Sequence, residues 1–183
     1  MKNTLKLLAL TLVVAFSQTQ AFAQSNEQKA APKQWILETL DGEKINLKER
    51  IQQPGNRIMV FWATWCPFCK QLMPIVADLK RDYPDLEVLS FNVFDELARE
   101  DYATKADWPF IHVLGGDEFA RVHGVKGLPT LFLINGEGKM VLDLREIDTK
   151  GTEENASNRT KAAHYAPLWN KGLREALDKL DWN

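Results

Sequence analysis

The sequence predicts an α/β sandwich, and three observations carry that prediction. An apolar run at 58–62 and a second strand-like run at 86–93 are each followed by a stretch suited to a helix. The turn signals Asp41-Gly42 and Asn135-Gly136-Glu137-Gly138 each separate a pair of short strands. A last apolar stripe at helical spacing closes the chain. Strand–helix–strand–helix followed by hairpin and helix is the order that buries one sheet between helices.

Each element has its own justification. Trp35-Ile36-Leu37-Glu38 and Lys44-Ile45-Asn46-Leu47 flank Asp41-Gly42 as an N-terminal β-hairpin. Ile58 to Trp62 is apolar throughout, as a strand covered on both faces must be. A helix is expected from Pro67 to Tyr83, with Leu72, Ile75, Val76 and Leu79 at helical spacing and a kink at Pro74, which has no amide N–H. Leu86 to Val93 is a second central strand and Asp95 to Lys105 a second helix. Phe110 to Leu114 reads as a short strand and Asp117 to His123 as a short helix. Thr130 to Ile134 and Lys139 to Leu144 form a hairpin across residues 135–138. Residues 145–161 carry Gly, Thr, Ser, Asn and mixed charge without apolar periodicity, and read as a long loop. A final helix over 167–181 starts at Pro167, a residue suited to a first helical position, and buries Trp169, Leu173, Leu177 and Leu180.

Residues 1–23 read as a signal peptide rather than as part of the fold. Lys2 and Lys6 give a basic start, Leu7 to Phe16 an apolar run, and Ala21-Phe22-Ala23 a cleavage signature. A retained membrane anchor is the alternative, although the apolar run is short for a span of about 20 residues. Residues 24–33 are polar and Ala-rich, a flexible leader, so the domain is expected at 34–183. Export, to the periplasm, places the chain where disulfides persist. Loss of Lys2 and Lys6 moves the formal charge from −2 to −4. A mildly acidic domain without a basic stripe offers nothing to nucleic acid.

The chemistry lies in Cys66-Pro67-Phe68-Cys69, which contains the chain's only 2 cysteines. A bond between residues so near in sequence closes almost no loop and restricts the unfolded chain little, so a structural staple is a poor explanation. At a strand-to-helix junction the pair is a redox device instead. Cys66, exposed near the helix start, has amide N–H groups and the helix dipole to favour its thiolate. Cys69, one turn later and more buried, is near enough to displace a mixed disulfide formed by Cys66. A metal is disfavoured, because a tetrahedral zinc site needs two further ligands and His112, His123 and His164 show no paired spacing. Copper handling would want another cysteine spacing and a nearby histidine.

The chain resembles the thioredoxin superfamily, and within it the exported TlpA/ResA-like thiol–disulfide oxidoreductases. Four stretches carry the likeness: the Asp41-Gly42 hairpin, Phe61 to Cys69, Val125 to Thr130, and Leu131 to Lys139. The resemblance implies a thioredoxin-like three-layer α/β/α sandwich with a central mixed sheet. It also implies dithiol exchange without organic cofactor or metal, on protein substrates bearing cysteines or disulfides. Reduction of those substrates, as in cytochrome c maturation, with electrons from a membrane partner, follows from the same likeness, and the chain is expected to act as a monomer.

The likeness also assigns residues. Pro67 and Phe68 occupy the dipeptide that tunes the redox potential, although Phe68 can equally serve as packing. Pro129 corresponds to the superfamily's cis-proline. Together with Leu128, Thr130 and the rim residue Trp65 it forms the substrate-docking corner, where a peptide can add along an unpaired backbone edge. Thioredoxins keep a buried Asp two positions before the first Trp of Trp-Ala-x-Trp-Cys, and here that position is Val60. The ResA-like pattern of an acid after the second central strand falls instead on Asp95, with Glu96 one residue off. A partly desolvated carboxylate there has a raised pKa and can take the Cys69 proton, while the same position suits a helix cap.

Other functions remain to be distinguished from a reductase. They are a dithiol oxidase of exported proteins and a non-catalytic module that holds clients at the Leu128-Pro129 edge. A peroxidase is disfavoured, since Thr64 lies two positions before Cys66 and not three.

Overall fold

The computed structural model describes residues 35–95 and 107–182. Strands β1 (Ile36–Glu38) and β2 (Lys44–Asn46) make the expected hairpin, antiparallel with Ile36 opposite Asn46. Gly42 supplies its left-handed turn residue at φ +87°, a conformation open to a residue without Cβ. Leu47 does not prolong β2 as expected; it opens helix α1 (Leu47–Gln52). Asn46 is the reason. Its side chain accepts the Lys48 N–H at 3.2 Å and donates to Glu49 at 2.8 Å, which closes the first turn.

The main sheet has the order β5-β4-β3-β6-β7. Strand β3 (Arg57–Trp62) is its buried centre, parallel to β4 (Glu87–Asn92) and antiparallel to β6 (Thr130–Ile134). β4 pairs in parallel with β5 (Ile111–Val113), and β6 antiparallel with β7 (Met140–Asp143). Alternate residues of β3 enter two separate cores. Ile58, Val60 and Trp62 pack with Leu72, Met73, Val76 and Leu79 of α2 (Pro67–Asp82) and with Trp169, Leu173 and Leu177 of α4 (Asn158–Leu177). Met59 and Phe61 pack with Leu47, Phe91 and Phe119, the last from α3 (Asp117–Val122). A mixed sheet with apolar cover on both faces is the three-layer sandwich that the family resemblance implies, and it contains the α/β sandwich read from the element order.

Several expectations are corrected. The span 145–161 is not one loop: a 3-10 turn occupies Leu144–Glu146, and α4 begins at Asn158. Pro167 therefore lies inside α4 and does not start it. Ser157 is the true cap, its hydroxyl accepting the Thr160 N–H at 3.2 Å. Pro167 removes one amide donor on an exposed face, where water can satisfy the freed carbonyl. Leu180 lies beyond the end of α4. α2 runs on through Pro74, which also sits on an exposed face. The signal peptide, the leader, Glu96 and the body of the helix expected over 95–105 lie outside the described residues. Among the described residues, no helix is long and apolar enough to cross a membrane.

Candidate active site

β3 ends at Trp62 and α2 starts at Pro67, so the segment between them is held by sheet pairing at one end and a helix at the other. Cys66 is the N-cap of α2, and its sulfur accepts the Cys69 N–H at 3.1 Å. Pro67 has no amide to offer, and at the first helical position it needs none. Cys66 and Cys69 are joined as a disulfide with their Cα atoms 5.2 Å apart. Cys66 is not exposed in this state. Each cysteine is 1% accessible, within the core shared by β3, α2 and α4. Access to either sulfur from this state therefore requires local opening.

One flank of the pair is polar. Asp95, just past β4 and 1% accessible, accepts the Thr64 N–H at 2.6 Å and the Asn92 side-chain amide at 3.1 Å, both on Oδ2. The Trp65 indole N–H donates to the Phe94 carbonyl at 2.9 Å. The 64–65 and 94–95 segments are thus clamped side by side. Phe94 reaches this arrangement at φ 55°, uncommon for a residue with a Cβ. Its own N–H donates to Asp117 at the start of α3 (2.6 Å), and the Arg121 guanidinium lies 5.2 Å from its ring centre. Among the described residues, two of the buried side-chain atoms without a hydrogen-bond partner are Thr64 Oγ1 and Asn92 Oδ1, on the two residues that hold Asp95.

The other flank is aromatic. The Phe68 ring lies 5.7 Å from Tyr165 and 6.5 Å from Trp169, and those two α4 rings meet edge-on at 5.6 Å. Behind the pair, the Trp62 indole N–H donates to Ser90 at 2.8 Å, and its ring meets Trp108 edge-on at 5.5 Å. Phe68 therefore does pack, as one of its two readings has it.

The third side is the β6 corner. The Leu128–Pro129 peptide is cis. Thr130, 3% accessible, donates its hydroxyl to the Gly127 carbonyl at 2.8 Å and pairs with Phe61 in the sheet. That register puts Leu128 and Pro129 beside the chain leaving β3 toward Cys66. Trp65 is 58% exposed at the rim. Val60, where a thioredoxin has its acid, is fully buried among apolar neighbours.

The structure thus gathers Cys66, Pro67, Phe68 and Cys69 with Trp65 and Asp95, and carries Leu128, Pro129 and Thr130 alongside. Thr64, Asn92, Phe94, Asp117 and Tyr165 were not foreseen. Of these only Asn92, a polar residue at the end of a strand whose other buried positions are mostly apolar, has a signal legible in the sequence.

What this fold and this pair define together is a dithiol–disulfide exchanger of the thioredoxin type. Comparison with known proteins agrees: a thioredoxin-like domain family matches residues 44–145. The thiol-disulfide oxidoreductase ResA of one Bacillus cereus strain is 31% identical over 144 residues, covering 74% of this chain and 81% of that protein. ResA of a second strain of the same species is 29% identical over 153 residues, covering 79% and 86%. In fold, the chain is similar to the crystal structure of StoA from Bacillus subtilis, with TM-score 0.50 and 24% identity over 62% of this chain and 88% of that one. The chain belongs to the thioredoxin-like family, in its ResA-like branch, and is a thiol–disulfide oxidoreductase.

Proposed function

We propose that this protein is an exported reductant of protein disulfides in which Cys66 attacks, Cys69 resolves and Asp95 takes the proton. The observation that carries the reading is the Cys69 N–H directed at the Cys66 sulfur on the first turn of α2, where a thiolate is favoured. In the dithiol form, the Cys66 thiolate attacks a substrate disulfide and one substrate thiolate departs. Cys69 then loses its proton to the Asp95 carboxylate and attacks the Cys66 sulfur. The mixed disulfide breaks and the second substrate thiolate leaves. The substrate has gained two electrons, and the protein ends as the Cys66–Cys69 disulfide.

Asp95 suits the proton's destination because its carboxylate is buried and tied to Thr64, two residues before Cys66. Unsatisfied polar atoms on its two partners point the same way, since such atoms cost stability and are tolerated where chemistry requires them. Leu128, Pro129, Thr130 and the exposed Trp65 form the docking edge for the substrate chain. Pro67 and Phe68 set the potential of the pair. Residues 1–23 direct export to the periplasm, where the protein works as a monomer, recharged by a membrane electron donor, on clients of the cytochrome c maturation type.

Variants at the cysteines test the mechanism. Cys66→Ser should abolish turnover of a disulfide-bonded protein, and Cys69→Ser should accumulate mixed disulfides. Wild-type turnover in both variants would sink the mechanism. The reduction potential against glutathione tests the direction. A value at or below about −270 mV supports a reductant, and one near about −120 mV overturns it in favour of an oxidase.

A further inference from the structure

Phe68, the second of the two residues between the thiols, does not end at the rim of the site. Phe68 projects onto α4, where Tyr165 and Trp169 lie one helical turn apart and receive its ring at 5.7 and 6.5 Å. Trp169 is 5% accessible and belongs to the same apolar core as both sulfurs, with Phe68 and Tyr165 packed against that core. The contact therefore joins the dipeptide of the disulfide ring to the last helix of the chain.

That ring is short and stiff. The disulfide ties Cys66 to Cys69, and Pro67 has its φ held by its own side chain. With both constraints in place Phe68 has few orientations left, so its ring meets Tyr165 with little ordering still to be done. Reduction breaks the sulfur–sulfur bond, and the two thiols move to non-bonded separation. The contact is seen with that bond intact, and its loss removes one of the two constraints on the turn that carries Phe68. A contact that favours one of two states shifts the equilibrium between them by its differential energy.

We propose that Tyr165 and Trp169 are positioning residues for the redox pair. Acting through Phe68, they favour the disulfide over the dithiol and make the protein a stronger reductant than its Cys-Pro-Phe-Cys sequence alone would make it. The equilibrium concerned is protein disulfide plus two glutathione thiols against protein dithiol plus glutathione disulfide. One protein disulfide bond breaks and one glutathione disulfide bond forms. Two electrons and two protons pass from glutathione to the protein. The contribution is that of a ring–ring contact, so the Tyr165 hydroxyl is not needed for it.

The experiment is titration of the full chain with glutathione redox buffers, with denaturant unfolding of the oxidised and reduced forms alongside. Tyr165→Ala should make the disulfide about three- to tenfold easier to reduce, the span an aromatic pair contributes to an equilibrium, and Tyr165→Phe should restore the wild-type constant. Because the effect passes through Phe68, adding Tyr165→Ala to Phe68→Leu should shift the constant no further than Phe68→Leu does alone. Phe68→Leu also keeps the test open should Tyr165→Ala fold poorly, since its own shift must lie in the same direction. An unchanged constant in Tyr165→Ala, an equal shift in Tyr165→Phe, or full additivity in the double variant would each overturn the proposal. Equal destabilisation of the oxidised and reduced forms by Tyr165→Ala would overturn it as well, because α4 would then be only structural.

Discussion

The two flanks of the Cys66–Cys69 pair are built from opposite materials. On one, Thr64 and Trp65 are fastened to Phe94 and Asp95 by two hydrogen bonds from a backbone and an indole N–H. On the other, Phe68 is fastened to α4 by rings alone. The difference matters because the two kinds of contact respond to different perturbations. A buried carboxylate senses protons and the charge of a nearby thiolate, whereas packed rings sense only shape and area. The polar flank is accordingly suited to proton handling, and the aromatic flank to holding one geometry of the disulfide turn.

Trp169→Ala should give the largest stability loss, about 3–5 kcal/mol, as expected for a buried indole truncated in a packed core. Urea unfolding measures it. That loss should be independent of pH near neutrality. A strong pH dependence would break the contrast between the flanks.

Asp95→Ala comes next. It leaves the Thr64 N–H and the Asn92 amide without their acceptor, a loss of about 1–3 kcal/mol. Its second effect is kinetic. Resolution of the mixed disulfide by Cys69 should slow near neutral pH and recover as the pH rises and Cys69 ionises unaided. Asp95→Asn keeps an acceptor and separates the two effects: stability should largely return while the slow step persists. A normal pH–rate profile in Asp95→Asn would leave Asp95 with the loop clamp alone.

The contrast between the flanks also decides what could be read in advance. Ile58–Trp62 and the Cys-x-x-Cys were plain because a doubly covered strand is apolar at every position and the cysteine spacing is local. The Asp95 position was legible only through the resemblance to ResA-like proteins, whose acid after the second central strand falls on it; nothing in the periodicity of Leu86 to Val93 marks it. Helix α1 was hidden because Leu47 continues the apolar alternation of β2, although Asn46 and Glu49 already stood at capping distance in sequence. The early start of α4 was hidden for a related reason. Its first turn, Asn158 to Lys161, has little apolar character, and only Ser157 marks it. The φ of 55° at Phe94 belongs to neither strand nor helix pattern. It is imposed by two partners distant in sequence, Trp65 and Asp117. Tyr165 and Trp169 are visibly one turn apart, but periodicity cannot name Phe68 as the ring they hold.

Trp65→Phe is a smaller perturbation of the polar flank. It removes one hydrogen bond at an exposed indole, about 0.5–1.5 kcal/mol at most. The loss should fall on the Phe94 turn, so amide exchange should quicken at Phe94 and Thr64 more than in β3. Uniform quickening across the sheet would contradict a local clamp.

The smallest expected effect separates the polar flank from another source of pH dependence. His112 on β5 is largely buried, and burial holds its imidazole below the usual value, opposed in part by a hydrogen bond with the Trp108 backbone. Its Nδ1 has no partner. As the pH falls through about 6.5 the unfolded chain takes up a proton at this histidine that the folded chain resists, so stability declines with acidification and is constant above that range. The ring packs 5.9 Å from Phe110 and sits opposite Ser90, two positions before the Asn92 that holds Asp95, with no hydrogen bond to that clamp among those seen. Urea unfolding between about pH 7 and 5 should therefore show a shallow loss that flattens in His112→Phe and survives in Asp95→Asn. If the slope instead vanished in Asp95→Asn, the carboxylate and not the imidazole would govern acid sensitivity.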